Sequence, residues 1–586
     1  MANLTVTRQL GGRSPFSRFA QPNFYVPLIA LVILLAIVVG PIVTLVVASF
    51  RPVGTYPLDA GPLVLDGYRT ILEDANLQKT IQDTFVFAIG VLVFGLPLAG
   101  AMAYLTERTD MPYRNTLYLL LFIPMSTPVF ATGLGWILLL GPKAGMLNVW
   151  WRELFNSTAR DGPINIFTMQ GLIFAGAIGL APSMWLFLIS VLRNMDPTLE
   201  EAAAVSGAGR LKTLTRITLP LMRPGTFAVG IFFFIVAIES LELPLALGLT
   251  AGVETIAVRI LRLVNFEVAG EVDYGLPATL GVFALVIGTL GVAVYLYLVR
   301  SASRFAVMTG KGYRPRMLKL GKFKWVALGF FALYIIIKVV LPFSVLVYAS
   351  FLEYYQPYVS SNFEYLHWTI GNYAHIFDWR FAGRFFVNTI IVSIAASFGT
   401  MFLVSFFGWL VVRMPGAMTR GVNVIAFMPL AVPGTISSTA MLLLFIGTPL
   451  YGTLFLLVLA YIFRYIAFGT RLMHAAQLQI SKELEEVALT SGASRVTTFF
   501  LINLRLLVPA FINGWLYILV HVSKDFSVPL LLASGNTLLF GNIIYHRWEQ
   551  GDLSVAAALM VILIILNLSA VYMGRRWLVK SVGEHN

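Results

Sequence analysis

The chain has 586 residues, of which 58% are hydrophobic and only 12% charged, and its mean hydropathy is +0.82. Soluble domains carry about 25% charged residues, so this composition excludes an ordinary soluble globular protein. The absence of cysteine excludes disulfides, thiolate metal sites and thiol nucleophiles, and the six histidines (His367, His375, His474, His521, His546 and His585) show no HxxxH or HExxH spacing for a catalytic metal.

Because a helix rises about 1.5 Å per residue, roughly 20 apolar residues cross a hydrocarbon core. Twelve such stretches are predicted, at 26–49, 84–105, 117–140, 169–193, 225–249, 275–298, 325–350, 385–412, 422–445, 453–474, 509–531 and 556–575. The expected fold class is an all-α polytopic membrane protein of about 12 transmembrane helices. Ahead of the first stretch stand Arg8, Arg13 and Arg18, the charge order of a signal sequence, but the apolar run is too long for a cleaved one and reads as a retained helix. The net charge of +13 suggests nucleic acid until its distribution is considered. With alternate loops assigned to opposite sides, the outer loops hold 11 Lys/Arg against 16 Asp/Glu, while most of the remaining basic residues fall on the side of the N-terminus. That positive-inside asymmetry places segment 1–25, the basic linker 299–324 and the tail 576–586 in the cytoplasm, and argues for lipid rather than nucleic acid as the partner.

The chain also repeats itself. Ala48-Ser49-Phe50 after Pro41 recurs as Ala349-Ser350-Phe351 after Pro342. Pro124 and Pro128 recur as Pro429 and Pro433 at an offset of 305, and Pro244 as Pro529 at an offset of 285. The drop of 20 puts one insertion in the first half, naturally in the polar stretch from Gly141 to Phe167. Six spans per half make the repeats (26–298 and 325–575) parallel, with a pseudo-two-fold axis along the membrane normal and a shared pathway between them. The matched prolines are either simple kinks or broken helices lining that pathway.

Between the fourth and fifth spans, in loop 194–224, lies Glu200-Glu201-Ala202-Ala203-Ala204-Val205-Ser206-Gly207, closed by Pro224. In loop 475–508 the counterpart is Glu485-Glu486-Val487-Ala488-Leu489-Thr490-Ser491-Gly492, closed by Pro509, aligned without a gap. Acidic residues ahead of small ones, with a terminal glycine, describe a short helix with favourable charge at its start and a built-in stop. Such a helix on the cytoplasmic face suits docking into a cleft of another protein.

These loops resemble the EAA loop of type I ABC importer permeases, whose pattern is EAA, three residues, G, about nine residues and I-x-LP. The first copy matches throughout, from Glu201, Ala202, Ala203 and Gly207 to Ile217, Leu219 and Pro220; the second keeps Glu486, Ala488, Gly492, Ile502 and Leu504 but has Val487 and Arg505 at two motif positions. The resemblance implies that both loops are coupling helices seated in ATPase subunits. The fused twelve-span form is similar to the iron(III), thiamine and phosphonate group, and the run from Met195 to Ala203 to iron(III) permeases in particular. It implies a multi-pass permease of a bacterial inner membrane and a separate extracytoplasmic solute-binding protein docked on the outer loops. Iron(III) is the first expectation for the solute; thiamine, a phosphonate, a polyamine or a small organic anion are alternatives. The chain has no GxxxxGK[ST] loop, TGKG at Thr309–Gly312 being the nearest approach, so ATP and Mg belong to two copies of a partner ATPase and no cofactor or catalytic residue is expected here. An ion-coupled secondary transporter would share the spans and the repeat, but not two EAA loops.

Ionisable groups inside spans cost about 3 kcal/mol on insertion scales and mark candidate functional sites. Glu239 and Glu242 end the fifth span, while His521, Lys524 and Asp525 stand in the eleventh, with Glu239 matching Lys524 at the common offset. They either line a gate in the pathway or form a structural Glu239–Lys524 bridge. Lys338 and Arg464 read as anchors near span ends.

Overall fold

The computed structural model describes residues 22–583 apart from 60, 196–197, 266–272, 304–316, 360–363, 375–377, 379 and 381–382. Most of segment 1–25, half of linker 299–324, part of the run from Met195 to Ala203, and His375 and His585 therefore lie outside the described residues. The described chain is helical, with two isolated β-bridges, Thr109–Leu318 and Leu352–Trp368.

Among the described residues nine helices are long and apolar enough to cross a membrane, and four further helix pairs qualify only when joined across a sharp bend. Two of these pairs are predicted spans; the other two, Pro244–Ala251 with Ile256–Asn265 and Arg495–Leu506 with Val508–Ser523, bend by 90° and 73° outside the predicted bounds, and two further predicted spans are interrupted. Span 117–140 is Arg114–Ser126 followed by Val129–Leu140, bent by 91°, and span 422–445 is Ala417–Ala431 followed by Gly434–Phe445, bent by 111°. Span 225–249 stops at Glu239, where Leu211–Glu239 ends, and restarts at Pro244. Span 509–531 stops at Ser523 and restarts at Ser527.

The first two breaks have a local cause. Thr127 and Val432 precede prolines and are extended, at φ/ψ of −79°/142° and −101°/110°. Clash with the ring of a following proline disfavours the helical region, so one helix must end there. Pro128 and Pro433 then open the next helix, where a missing N–H costs nothing. Proline leaves a second mark on the first span of each repeat. Leu35–Val39 and Ile336–Val340 are π-helical turns just ahead of Pro41 and Pro342. The wider turn accommodates the ring and displaces the residues within it.

The insertion inferred from the offsets lies where expected. Gly141–Thr168 uses 28 residues to connect helices that Ile446–Thr453 joins with eight. It contains the helix Met146–Leu154, held down by buried Asn148, whose amide donates to the carbonyls of Leu140, Gly141 and Ile164. Trp150 on that helix donates to the carbonyl of Tyr358 in the other repeat.

The first spans are exchanged between repeats. Gly40–Ala48 packs on the half-helix Gly434–Phe445, and Leu341–Ser350 packs on Val129–Leu140. Two mixed cores result: one joins the body of the first repeat to Phe331, Val345 and Leu346 and to Ala556, Leu559 and Met560 of the last span, the other joins the body of the second to Leu34, Leu45 and Ala48 and to Ala278, Leu280 and Ala284 of the sixth. Lipid is as apolar as leucine, so close packing and polar contacts, rather than escape from water, hold such helices together.

Candidate functional site

Two groups of residues stand out. The first is on the face bearing the two short helices, Thr198–Val205 and Lys482–Thr490. Each ends in a left-handed glycine, Gly207 at φ 77° and Gly492 at φ 89°. Beyond them the N–H of Ala208 bonds to the carbonyl of Ala203 and that of Ala493 to Ala488, which satisfies carbonyls the helix would leave open.

Each short helix is clasped to its own repeat by its first motif acid. Glu200 accepts from the Thr218 hydroxyl at 2.7 Å and pairs with Arg108 at 3.4 Å, and Arg108 also donates to the carbonyl of Leu192. Glu485 pairs with Arg413 at 2.6 Å, Arg413 donates to the carbonyl of Ile480, and Gln477 bridges Glu485 to Asn503. Arg413 is Arg108 shifted by the offset of 305, and Asn503 is Thr218 shifted by 285. The end of the second span, the short helix and the foot of the fifth span are therefore joined at equivalent positions twice, directly through Thr218 in the first repeat and by way of Gln477 in the second. Beside the clasp Leu199, Val205, Leu484, Glu486 and Val487 are exposed, Val205 by 87%. Glu201, next to Glu200, and Ala202 are at least partly exposed, while Ala203 is buried.

The second group sits where the broken spans meet. The two half-helices begin at these breaks and present unpaired N–H groups there, a position that favours negative charge. Glu242 accepts from the N–H of Phe130, in the first turn of Val129–Leu140, at 3.0 Å. Glu239 lies against the start of Gly434–Phe445: a Cβ on Gly434 would stand 2.7 Å from its carboxylate and 2.6 Å from the guanidinium carbon of Arg464. Each carboxylate of the Glu-Ser-Leu-Glu stretch thus serves one half-helix, one in its own repeat and one in the other.

Arg464 ties the cluster together. It pairs with Asp525 at 2.8 Å and Glu239 at 3.4 Å and donates to Ser527 at 3.1 Å. Asp525 also accepts from the N–H of Val528 and the hydroxyl of Tyr461. Lys524 donates to the carbonyl of Met125, at the end of the helix before the first break. Lys338 donates to Thr132 at 3.2 Å. A cavity of about 200 Å³ lies beside this cluster, lined by Pro124, Thr132, Gly179, Glu239, Glu242, Lys338, Arg464 and Ser527 among others. Three carboxylates and three cations gather here, inside an apolar layer where an unpaired ion costs several kcal/mol, yet among the described residues only Arg464 of these cations forms ion pairs, with Glu239 and Asp525.

The structure therefore brings Glu239, Glu242, Lys524 and Asp525 together, but not in the expected pairing. No Glu239–Lys524 bridge forms; Glu239 belongs to Arg464. Arg464 and Lys338 are not anchors at span ends. Each stands near the middle of its helix, Leu454–Leu478 and Phe323–Ser350, and Lys338 is 6% exposed. His521 stands apart, its ring stacked on Tyr517 at 4.0 Å and its Nδ1 against the carbonyl of Tyr517. Pro124 borders the cavity, Pro128 and Pro433 start the half-helices, and Pro429 is buried in the turn before the second break. Sequence reasoning missed Arg108 and Arg413, although their recurrence at the repeat offset was available as a signal. Among the described residues no three His, Asp or Glu side chains are grouped to hold a metal ion.

Residues 95–304 and 405–581, one segment in each repeat, match the family of the binding-protein-dependent transport system inner membrane component. The ferric transport system permease protein FbpB of Actinobacillus pleuropneumoniae is 25% identical over 512 residues, covering 86% of this chain and 71% of that protein. A putative ferric transport system permease protein FbpB 1 of Haemophilus influenzae is 26% identical over 481 residues, covering 80% and 72%. A chain of a bacterial alginate ABC transporter, solved with an alginate pentasaccharide-bound periplasmic protein, is 18% identical with a TM-score of 0.37, over 49% of this chain and 96% of that one. With the family matched once in each repeat, the chain belongs to the binding-protein-dependent transport system inner membrane components and is an ABC importer permease carrying both halves in one polypeptide.

Proposed function

We propose that this chain is the complete translocation unit of an ATP-driven importer for ferric iron or a comparably small polar solute. Two ATPase subunits dock on the Thr198–Val205 and Lys482–Thr490 helices from the cytoplasm, and a solute-binding protein delivers cargo to the opposite face. ATP and Mg bind on the ATPase subunits, and both termini face the cytoplasm, the side favoured by the charge asymmetry.

The observation that carries this reading is the duplicated clasp. A force applied to the first short helix reaches the second and fifth spans of its repeat through Glu200, and one applied to the second reaches the equivalent spans through Glu485, with Gln477 relaying the contact to Asn503. The fifth span of the first repeat ends at Glu239, inside the central cluster, so the docking face and the cavity share one continuous helix, Leu211–Glu239. Tilting of one repeat against the other would open the cavity to each side in turn. A cavity of about 200 Å³ lies below the 300–1,000 Å³ typical of drug-sized ligands, which favours a small cargo over an oligosaccharide. The ferric assignment is supported by the two FbpB relatives, which span most of the chain.

The test is uptake of radiolabelled iron by proteoliposomes holding the permease, its ATPase and its binding protein. Uptake should need ATP and the loaded binding protein, and should fall at least tenfold when Gly207→Pro and Gly492→Pro are combined. Uptake driven by an ion gradient without ATP would overturn the proposal.

A further inference from the structure

We propose that the pore holds one solute site, displaced from the pseudo-two-fold axis into the first repeat, and that its occupant presents an anionic oxygen group to Lys338. This deepens the pore reading above and rests on it.

The displacement follows from comparing equivalent positions. Arg464 corresponds to Gly179 and Tyr461 to Gly176 at the offset of 285, and Lys338 corresponds to Ile37 at the offset of 301. In the second repeat the large side chains of Arg464 and Tyr461 fill the space beside the breaks and are held there by Asp525. In the first repeat the space beside Gly179 is open and belongs to the cavity, whereas Val91 and Phe87 close in on Gly176, which only borders it. A Cβ on Gly179 would find only the ammonium of Lys338 within 4 Å, at 3.8 Å. The cavity is thus the volume that the second repeat has filled with its own arginine.

Lys338 supplies the chemistry. Glu239 is matched by Arg464, and Glu242 by the N–H of Phe130. Lys338 is buried and donates to the hydroxyl of Thr132, and among the described residues no carboxylate lies within ion-pair distance of it. It borders this cavity and an adjoining apolar one of about 170 Å³. The π-helical turn Ile336–Val340 carries it inward in the second repeat, whereas the matching turn in the first carries Ile37. A buried ammonium with one neutral partner is costly without an anion, and a small oxygen anion beside it would complete both its charge and its donors. Such a group could arrive free, or as a ligand of a cargo metal.

The test uses the full chain in lipid nanodiscs, titrated calorimetrically with citrate and, separately, with ferric citrate. Saturable one-site binding of at least one probe is expected. Lys338→Met should weaken it about tenfold or more, the scale of a lost charge-assisted contact. Gly179→Leu, which fills the cavity, should abolish it, whereas Ile37→Met should leave it unchanged. Binding of citrate alone identifies a free anion, and binding of only the ferric complex identifies a ligand of the metal. Absence of binding with both probes, or affinity retained in both Lys338→Met and Gly179→Leu, would overturn the proposal. Because this measurement needs neither ATP nor partners, its failure is separable from failure of the importer reading.

Discussion

At the scale of single residues the molecule depends most on Arg464, whose guanidinium answers Asp525 and Glu239 at once. Removing one partner of a buried ion pair costs about 3–5 kcal/mol, because the remaining charge keeps its desolvation penalty. Arg464→Met should therefore destabilise the detergent-solubilised protein by that order in thermal or denaturant unfolding. Glu239→Gln, which leaves the 2.8 Å pair with Asp525 in place, should cost clearly less. The geometry also predicts that the exchange Glu239→Lys with Lys524→Glu rescues nothing, since these side chains are not partners; restored uptake in the double variant would contradict it. Sequence alone shows that Glu239, Glu242, Lys524 and Asp525 are out of place in apolar runs, because a charge in such a run is visible in one dimension. Which charge answers which is decided by helices some 225 residues apart, as with Glu239 and Arg464. Arg464, followed at once by tyrosine and a few residues ahead of Arg471, reads along the chain like an interfacial anchor.

At the scale of elements the breaks and caps set the geometry, and the repeats differ in what they tolerate there. Gly434 and Val129 are equivalent first residues of the half-helices. Valine fits in the first repeat, but at Gly434 any Cβ meets Arg464 and Glu239 inside 3 Å. Gly434→Val is accordingly expected to disrupt the cluster and lower the melting temperature by several degrees, whereas Val129→Gly should cost only about 0.5 kcal/mol of helix propensity. The glycines that end the short helices act differently. Nothing lies within 4 Å of a Cβ on Gly207 or Gly492, so alanine there meets only backbone strain of about 1–2 kcal/mol per site from positive φ. Combining Gly207→Ala with Gly492→Ala should weaken capture of the ATPase subunit in a pull-down without shifting the melting temperature of the isolated permease by more than a degree or two; unchanged capture would show that the turn is not needed for docking. The prolines and terminal glycines that shape these elements were legible, because each acts on its own backbone or its neighbour's. The size of the bends, 91° and 111°, was not, since the packing of the half-helices on the exchanged first spans sets it.

At the scale of the whole molecule, duplication and insertion could be read from proline offsets, but the exchange of first spans could not, because identical patterning serves either repeat as a neighbour. The exchange has a consequence for how the chain holds together. Leu34, Leu45 and Ala48 are buried in the core of the second repeat, and Phe331, Val345 and Leu346 in that of the first. Neither repeat can complete its core from its own sequence. The repeats have also diverged at the ends that carry the short helices: Glu107 pairs with Arg114 and Arg193 and accepts from Tyr118, whereas the equivalent second-repeat positions hold Val412, Thr419, Leu478 and Asn423. Two copies of one repeat would therefore have to duplicate one pattern at both sites, including either two copies of the Arg464 cation or none. A chain divided within 304–316 should accordingly yield two fragments that are unstable and degraded when expressed singly. Co-expressed, they should reassemble into a 1:1 complex, since the covalent link supplies proximity while the exchanged helices supply the contacts. Affinity purification through a tag on one fragment, followed by mass measurement of the eluted complex, decides the point. A stable homodimer of either fragment would show that the exchange does not enforce the pairing.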